Sequence, residues 1–251
     1  MKVSRTGMLR GLLPLALLLA VWEVTASPDS LSFPPPSTWP EALAELHEEG
    51  ALLPAVSKTL VTFAVAMVLS TVLGVALGML IGASRKLERA LTPLMDFFRT
   101  LPPPAIVPVL ALLLGATQQM AVTVVVLAAI WPILLNTITA MRSVPPVRLE
   151  MARSLGLTRN DRLRKVVIPS LAPGIVLGIR VSVSIALIVT LLVDILGTGE
   201  GIGRELLVSQ QTFQPAKVWA LLLVVGIFGY LISAAAAAGE DRIWRTWGER
   251  R

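Results

Sequence analysis

Residues 99–142 read RTLPPPAIVPVLALLLGATQQMAVTVVVLAAIWPILLNTITAMR, and between the two terminal arginines 42 consecutive residues carry no charge. As helix at 1.5 Å per residue such a run would extend about 63 Å, roughly twice the ~30 Å hydrocarbon layer that one helix of about 20 apolar residues crosses. The stretch therefore predicts two membrane crossings, turning at residues 115–119, where Gly115, Thr117 and two glutamines interrupt the apolar run. Lipid offers no partner to a backbone N–H or C=O, so the spans must be helical. The prolines at 102, 103, 104 and 108 lack the amide donor and clash with the preceding turn. The first of the two crossings should start broken or bent.

The same ruler cuts the rest of the chain. Residues 11–26 form a short candidate span holding Glu23; 55–83 follow, with only Lys58 near the start; 172–197 contain Arg180 and Asp194; 218–238 are uncharged. The reading is an all-α membrane protein with about six transmembrane helices. Its composition agrees: 251 residues, 55% hydrophobic and only 15% charged, more apolar surface than one water-soluble core of that size hides. Lys2, Arg5 and Arg10, the group Arg85, Lys86, Arg89 and Arg99, seven basic residues from Arg142 to Lys165, and Arg242, Arg245, Arg250 and Arg251 all fall on one side. Cytoplasmic loops collect Lys and Arg, so both termini are expected in the cytoplasm. The opposite side carries Lys58, Arg204 and Lys217 among seven acidic residues. The expected division is 1–10 cytoplasmic, 11–26 first span, 27–54 external loop, 55–240 core domain and 241–251 cytoplasmic tail. A second reading of the start, a cleaved signal peptide ending near Ser27, would leave five spans.

Several chemistries are excluded. With no cysteine and a single His47 there is no disulfide framework, thiolate metal site or nucleophilic triad, and no G-x-x-x-x-G-K phosphate loop is present. No catalytic residue and no metal ligand set is assigned, and no cofactor is expected in this chain. The net charge of +6 lies between apolar runs with few aromatic residues, which argues for topology and against nucleic acid.

Inside the spans, Gly74, Gly78 and Gly82 line one helix face for close approach of a neighbour, either within the subunit or across a dimer. Arg180 and Asp194 are costly in lipid, so each should face protein or a water-filled cavity. Fourteen residues of helix separate them by about 21 Å, too far to pair within one straight helix. Arg180 suits an anionic solute in a pathway, or a structural or gating contact. Asn136, Thr137, Thr139, Ser182, Ser184 and Thr190 are polar lining candidates, although Ser and Thr in such helices often bond their own backbone.

The most basic loop, residues 145–169, reads PPVRLEMARSLGLTRNDRLRKVVIP. Val147, Met151 and Leu155 recur at helical spacing over 147–155, Gly156 is placed to end that helix, and Thr158 and Asp161 have capping-box spacing for a second short helix before Pro169. Amphipathicity fits a knob that docks on another protein or a basic helix lying on lipid headgroups.

Glu150-Met151-Ala152, Gly156 four residues after Ala152, and Val166-Val167-Ile168-Pro169 after nine more resemble the EAA loop of ABC importer permeases, with Met for the first Ala. Phe98-Arg99-Thr100-Leu101-Pro102-Pro103 leading to Val107-Pro108, Gly178-Ile179-Arg180, Asp194, Gly199 to Gly203, Phe213 and Trp22-Glu23 are similar to the nitrate, sulfonate, taurine and bicarbonate branch, which often has Glu where this chain has Asp194. The resemblance implies the type I importer permease fold in a bacterial plasma membrane. It also implies a homodimer or a paired homologous permease, two ABC ATPase subunits carrying ATP and magnesium, and an external substrate-binding protein. Glu150, Met151, Ala152, Leu155 and Gly156 would couple to the ATPase; Arg180, Asn136, Ser184 and Asp194 are the pathway or substrate candidates. An ATP-independent transporter or channel is the alternative class, and the solute within the branch stays open.

Overall fold

The computed structural model describes residues 5–27, 30, 32–198 and 200–248. In chain order its helices are α1 (Arg5–Thr25), α2 (Trp39–Glu48), α3 (Leu52–Gly82), α4 (Arg85–Arg99), α5 (Pro103–Leu114), α6 (Gln118–Ser143), α7 (Pro146–Ser154), α8 (Arg159–Arg162), α9 (Ile168–Val193), α10 (Ile202–Gln211) and α11 (Pro215–Gly248). A wide π turn, Leu163–Val167, joins α8 to α9, and another, Asp194–Thr198, follows α9.

Among the described residues, four stretches are long and apolar enough to cross a bilayer: Leu52–Gly82, Gln118–Ser143, the continuous helix Arg159–Gly197, and Pro215–Gly239. The α4–α5 pair, bent by 90°, makes a fifth if it counts as one broken span, and Leu13–Thr25 is apolar but shorter. The uncharged stretch thus divides as its length requires, at Gly115 with φ +70. Its first half is broken where the prolines stand: Pro102 is the N-cap of α5, with Pro103 and Pro104 in its first turn.

α6 is the central helix, packed between α3 and α9. Small residues set both distances. A Cβ on Gly78 would lie 2.6 Å from the Thr137 Cβ, and one on Gly178 would lie 2.8 Å from the Ile133 Cα, so each glycine admits a helix that alanine would push away. Gly74 and Gly82 meet Ile133 and Met141 of α6 in the same way. The glycine stripe therefore serves packing inside the subunit. Buried Phe63, Ala66, Val107, Met120, Val124, Ala129, Ala186 and Val193 fill the core between these helices, and Gln118 Nε2 donates to Thr62 Oγ1 at 2.6 Å.

Two expectations need correction. Residues 27–54 are not all loop: α2 buries Trp39, Ala42 and Leu46 because its apolar side packs on α11. There Trp22, Phe33, Trp39 and Trp219 gather, with ring centroids 4.6 Å apart for Trp22 and Trp219. Pro169 does not end a helix. It occupies the first turn of α9, where its missing N–H matters least, and the π turn just before it widens the spiral so that α8 and α9 run on. Glu23 lies near the end of α1, exposed, and accepts the Ser37 N–H at 3.0 Å.

Candidate coupling and pathway sites

The loop between α6 and α9 is built as a separate short lever. Pro145 and Pro146 stop α6 and open α7. α7 ends in a Schellman motif: Gly156 N–H donates to Arg153 O at 2.9 Å and Leu157 N–H to Ala152 O at 3.1 Å, with Gly156 at φ +71, the left-handed state this motif requires. Thr158 then caps α8, accepting the Asp161 N–H at 3.2 Å while its own hydroxyl donates to the Asp161 carboxylate at 2.7 Å. Asp161 in turn holds Lys165 at 2.8 Å. The second helix is shorter than its capping box suggests, since it merges into α9 after one turn.

Facing decides what α7 can do. Ala152 is only 3% exposed, whereas Val147, Met151 and Leu155 are 62%, 60% and 75% exposed. These three recur every four residues, so they form one apolar stripe on a single side. Glu150 is exposed beside them. Arg148 reaches Ser170 at the start of α9 at 3.5 Å, so displacement of α7 bears on α9.

The pathway candidates separate into three kinds. Asn136 is half-buried and its Nδ2 donates back to Pro132 O at 2.8 Å, engaged with its own helix. Arg180 and Ser184 lie one turn apart and both are exposed, on the α9 side that also exposes Leu177, Val181 and Ile188. Ser182 points the other way, buried and donating to Ala129 O of α6 at 2.6 Å; Thr137 and Thr190 donate to carbonyls four residues earlier.

Asp194 does not share the Arg180 face. It is 2% exposed, its Oδ2 accepts the Thr59 hydroxyl at 2.6 Å, and its carboxylate accepts the Gly203 N–H. Thr59 Oγ1 accepts the Ile202 N–H at 2.9 Å. A carboxylate and a hydroxyl thus take amides at the start of α10, which satisfies donors a helix leaves open. A side chain at Gly201, φ +86, would strike both the Asp194 carboxylate and the Thr59 hydroxyl. Just outside, Lys58 pairs with Glu200 at 2.7 Å. Thr59 escaped the sequence reading; its only signal is the run of small or polar buried positions Thr59, Thr62, Ala66, Ser70 and Gly74 along α3.

Arg99 is a second residue whose surroundings the sequence did not reveal. The charge count puts it in a cytoplasmic loop with Arg85, Lys86 and Arg89. In the structure Glu88 pairs with Arg142 at the end of α6, and further along α4 Met95 packs with Leu134 and Ile138. Arg99 then lines a groove of about 1080 Å³ together with Ile130, Trp131 and Leu135, beside the middle of α6. Leu87, Leu91 and Met95 recur at four-residue spacing and carry α4 along α6, charge included.

Apolar helices long enough to cross a bilayer, packed on a central helix through neighbouring glycines and interrupted by a short capped helix with an exposed apolar stripe, have the architecture of a membrane permease. The chain belongs to the family described as binding-protein-dependent transport system inner membrane component, whose model matches residues 70–245. It is similar to the putative aliphatic sulfonates transport permease protein SsuC of Bacillus subtilis, 29% identical over 96% of this chain and 90% of that protein. It is also similar to the nitrate import permease protein NrtB of Synechocystis sp., 28% identical over 94% and 89%. Among solved structures, a chain of the MetNI methionine ABC transporter shares the fold, with TM-score 0.65 at 21% identity over 75% of this chain and 94% of that one.

Proposed function

We propose that the chain is the membrane subunit of an ATP-driven importer for a small anion, working as two copies, or as one copy beside a homologous permease. Two cytoplasmic ABC ATPase subunits, which hold the ATP and magnesium, dock on the α7 stripes, and an external binding protein delivers the solute. Both termini lie in the cytoplasm of a bacterial cell. Approach of the ATPase subunits on binding ATP draws the two α7 levers together; α9 follows through the loop and the Arg148–Ser170 contact, and the path opens outward. Hydrolysis and release reverse the motion, alternating access by rigid-body rocking.

The observation that carries this reading is the outward stripe of Val147, Met151 and Leu155 against inward Ala152. We take this stripe, on a helix fixed by Pro146 and a Schellman turn, as a knob for a protein groove in preference to a face laid on headgroups. Leu155→Glu tests it. A tagged wild-type chain purified from its native membranes should carry an ABC ATPase subunit and show ATPase activity, and the variant should insert normally yet lose both. An equally tight ATPase subunit in the variant removes α7 as the dock, and a wild-type chain that transports without any ATPase subunit establishes the ATP-independent class instead.

A further inference from the structure

We propose that the groove at the α4–α5 break is the recognition site for the transported solute, and that it takes an organic anion with an apolar body, a sulfonate carrying an alkyl or aryl group, in preference to a small inorganic anion. The inference rests on the importer reading and narrows its substrate class.

Three observations converge on this groove. Its volume, about 1080 Å³, is at the upper end of the range of small-molecule sites. Its walls are hydrocarbon, chiefly Phe98, Leu101, Ile106, Val109, Trp131 and Ile185, and its cation is Arg99, beside Thr100. It lies where a crossing helix is interrupted beside the middle of α6, the kind of place where transporters expose polar groups to a solute. Arg99 pairs with Asp96 through Nε at 3.1 Å; a guanidinium has four further N–H donors on its terminal nitrogens, the geometry that suits an oxyanion. The first turn of α5 adds little to anion binding, since Pro103 and Pro104 have no N–H and the Ala105 N–H is taken by Pro102 O. Anion recognition therefore falls to Arg99, and the walls reward only a ligand that has hydrocarbon to bury. Nitrate could answer Arg99 but has no hydrocarbon to set against these walls, so its desolvation is only partly offset, whereas each buried methylene is worth roughly fourfold in affinity.

The chain contains no cysteine, so Ile106→Cys gives a single reporter in the groove. In the purified permease–ATPase complex in nanodiscs, without binding protein, the rate of maleimide labelling at that cysteine is measured against added ligand. Hexanesulfonate should protect, propanesulfonate should need roughly fourfold more for each methylene removed, and nitrate should not protect. Arg99→Gln in the same background should raise the half-protecting concentration at least about tenfold, with Arg99→Lys partly restoring it. Hexanol protecting as well as hexanesulfonate, or protection indifferent to Arg99→Gln, would overturn the proposal in favour of a lipid-chain crevice. Nitrate protecting as well as hexanesulfonate would overturn the substrate class. A reporter that is blocked without ligand and cross-links to a second copy would make the groove a subunit interface. Retention of the ATPase subunit in the same preparation keeps these outcomes separate from the importer reading.

Discussion

Gly156 shows how one backbone angle serves a mechanical role. Nothing lies within 4 Å of a Cβ built on it, so space does not select glycine; φ +71 does. An L side chain in the left-handed region costs about 1–2 kcal/mol, and a β-branched one is worst placed to adopt it. Gly156→Val should relieve that strain by unwinding the Schellman turn and loosening α7 from α8, while the spans, which do not touch it, still insert. We expect substrate-stimulated ATPase activity to fall toward the unstimulated rate in the reconstituted complex, and Gly156→Asn to retain most of it. Wild-type stimulation in Gly156→Val would mean that the lever need not be rigid. The contrast with Gly78 is instructive: there φ is ordinary and the neighbouring Thr137 at 2.6 Å makes the selection.

At the scale of elements, the start of α3, the end of α9 and the start of α10 are fastened together by Thr59 and Asp194. Both are buried, and the Thr59 hydroxyl is donor and acceptor at once. Thr59→Val keeps the shape and deletes both bonds, leaving the Ile202 N–H and one carboxylate oxygen short of a partner, each at about 1–3 kcal/mol. Hydrogen exchange at Ile202 and Gly203 should then accelerate at least about tenfold, with Thr59→Ser near wild type. Unchanged exchange in the valine variant would show that Lys58–Glu200 and the surrounding packing hold the turn unaided. Asp194 was legible in the sequence only as a costly charge with no evident partner, because Thr59 precedes it by 135 residues and no local period encodes which helices meet. The groove around Arg99 was hidden for the same reason: it depends on how far α4 runs along α6. The lever was legible in detail, since proline stops, a left-handed glycine and a capping threonine act within a few residues of themselves. The span boundaries were legible because hydrocarbon thickness sets them.

At the scale of the molecule, the two ends of the bundle are secured differently. At one end, Lys58–Glu200, Lys217–Glu49 at 2.7 Å and Thr59–Asp194 tie α2, α3, α10 and α11 into one block; at the other, α7 projects on its own stem. If ATPase subunits dock on α7 as proposed, a push there reaches α9 first and meets a braced far end, the arrangement rocking requires. α9 also exposes a charge, Arg180, and Ser184 on the side that exposes Leu177, Val181 and Ile188. A charge there is costly against lipid, so that side should face water or protein between two permease copies. Ser184→Cys, one turn from Arg180 in a chain without native cysteine, tests the consequence. Two such cysteines can join only when their Cβ atoms come within about 4.5 Å, which a shared axis provides and a lipid-facing side does not. Oxidation of the purified complex should yield a covalent permease dimer whose amount changes between the nucleotide-free state and a non-hydrolysable ATP analogue. A monomer in every nucleotide state, with Leu177→Cys equally unable to cross-link, would turn this side of α9 away from the partner copy and take Arg180 and Ser184 off the path.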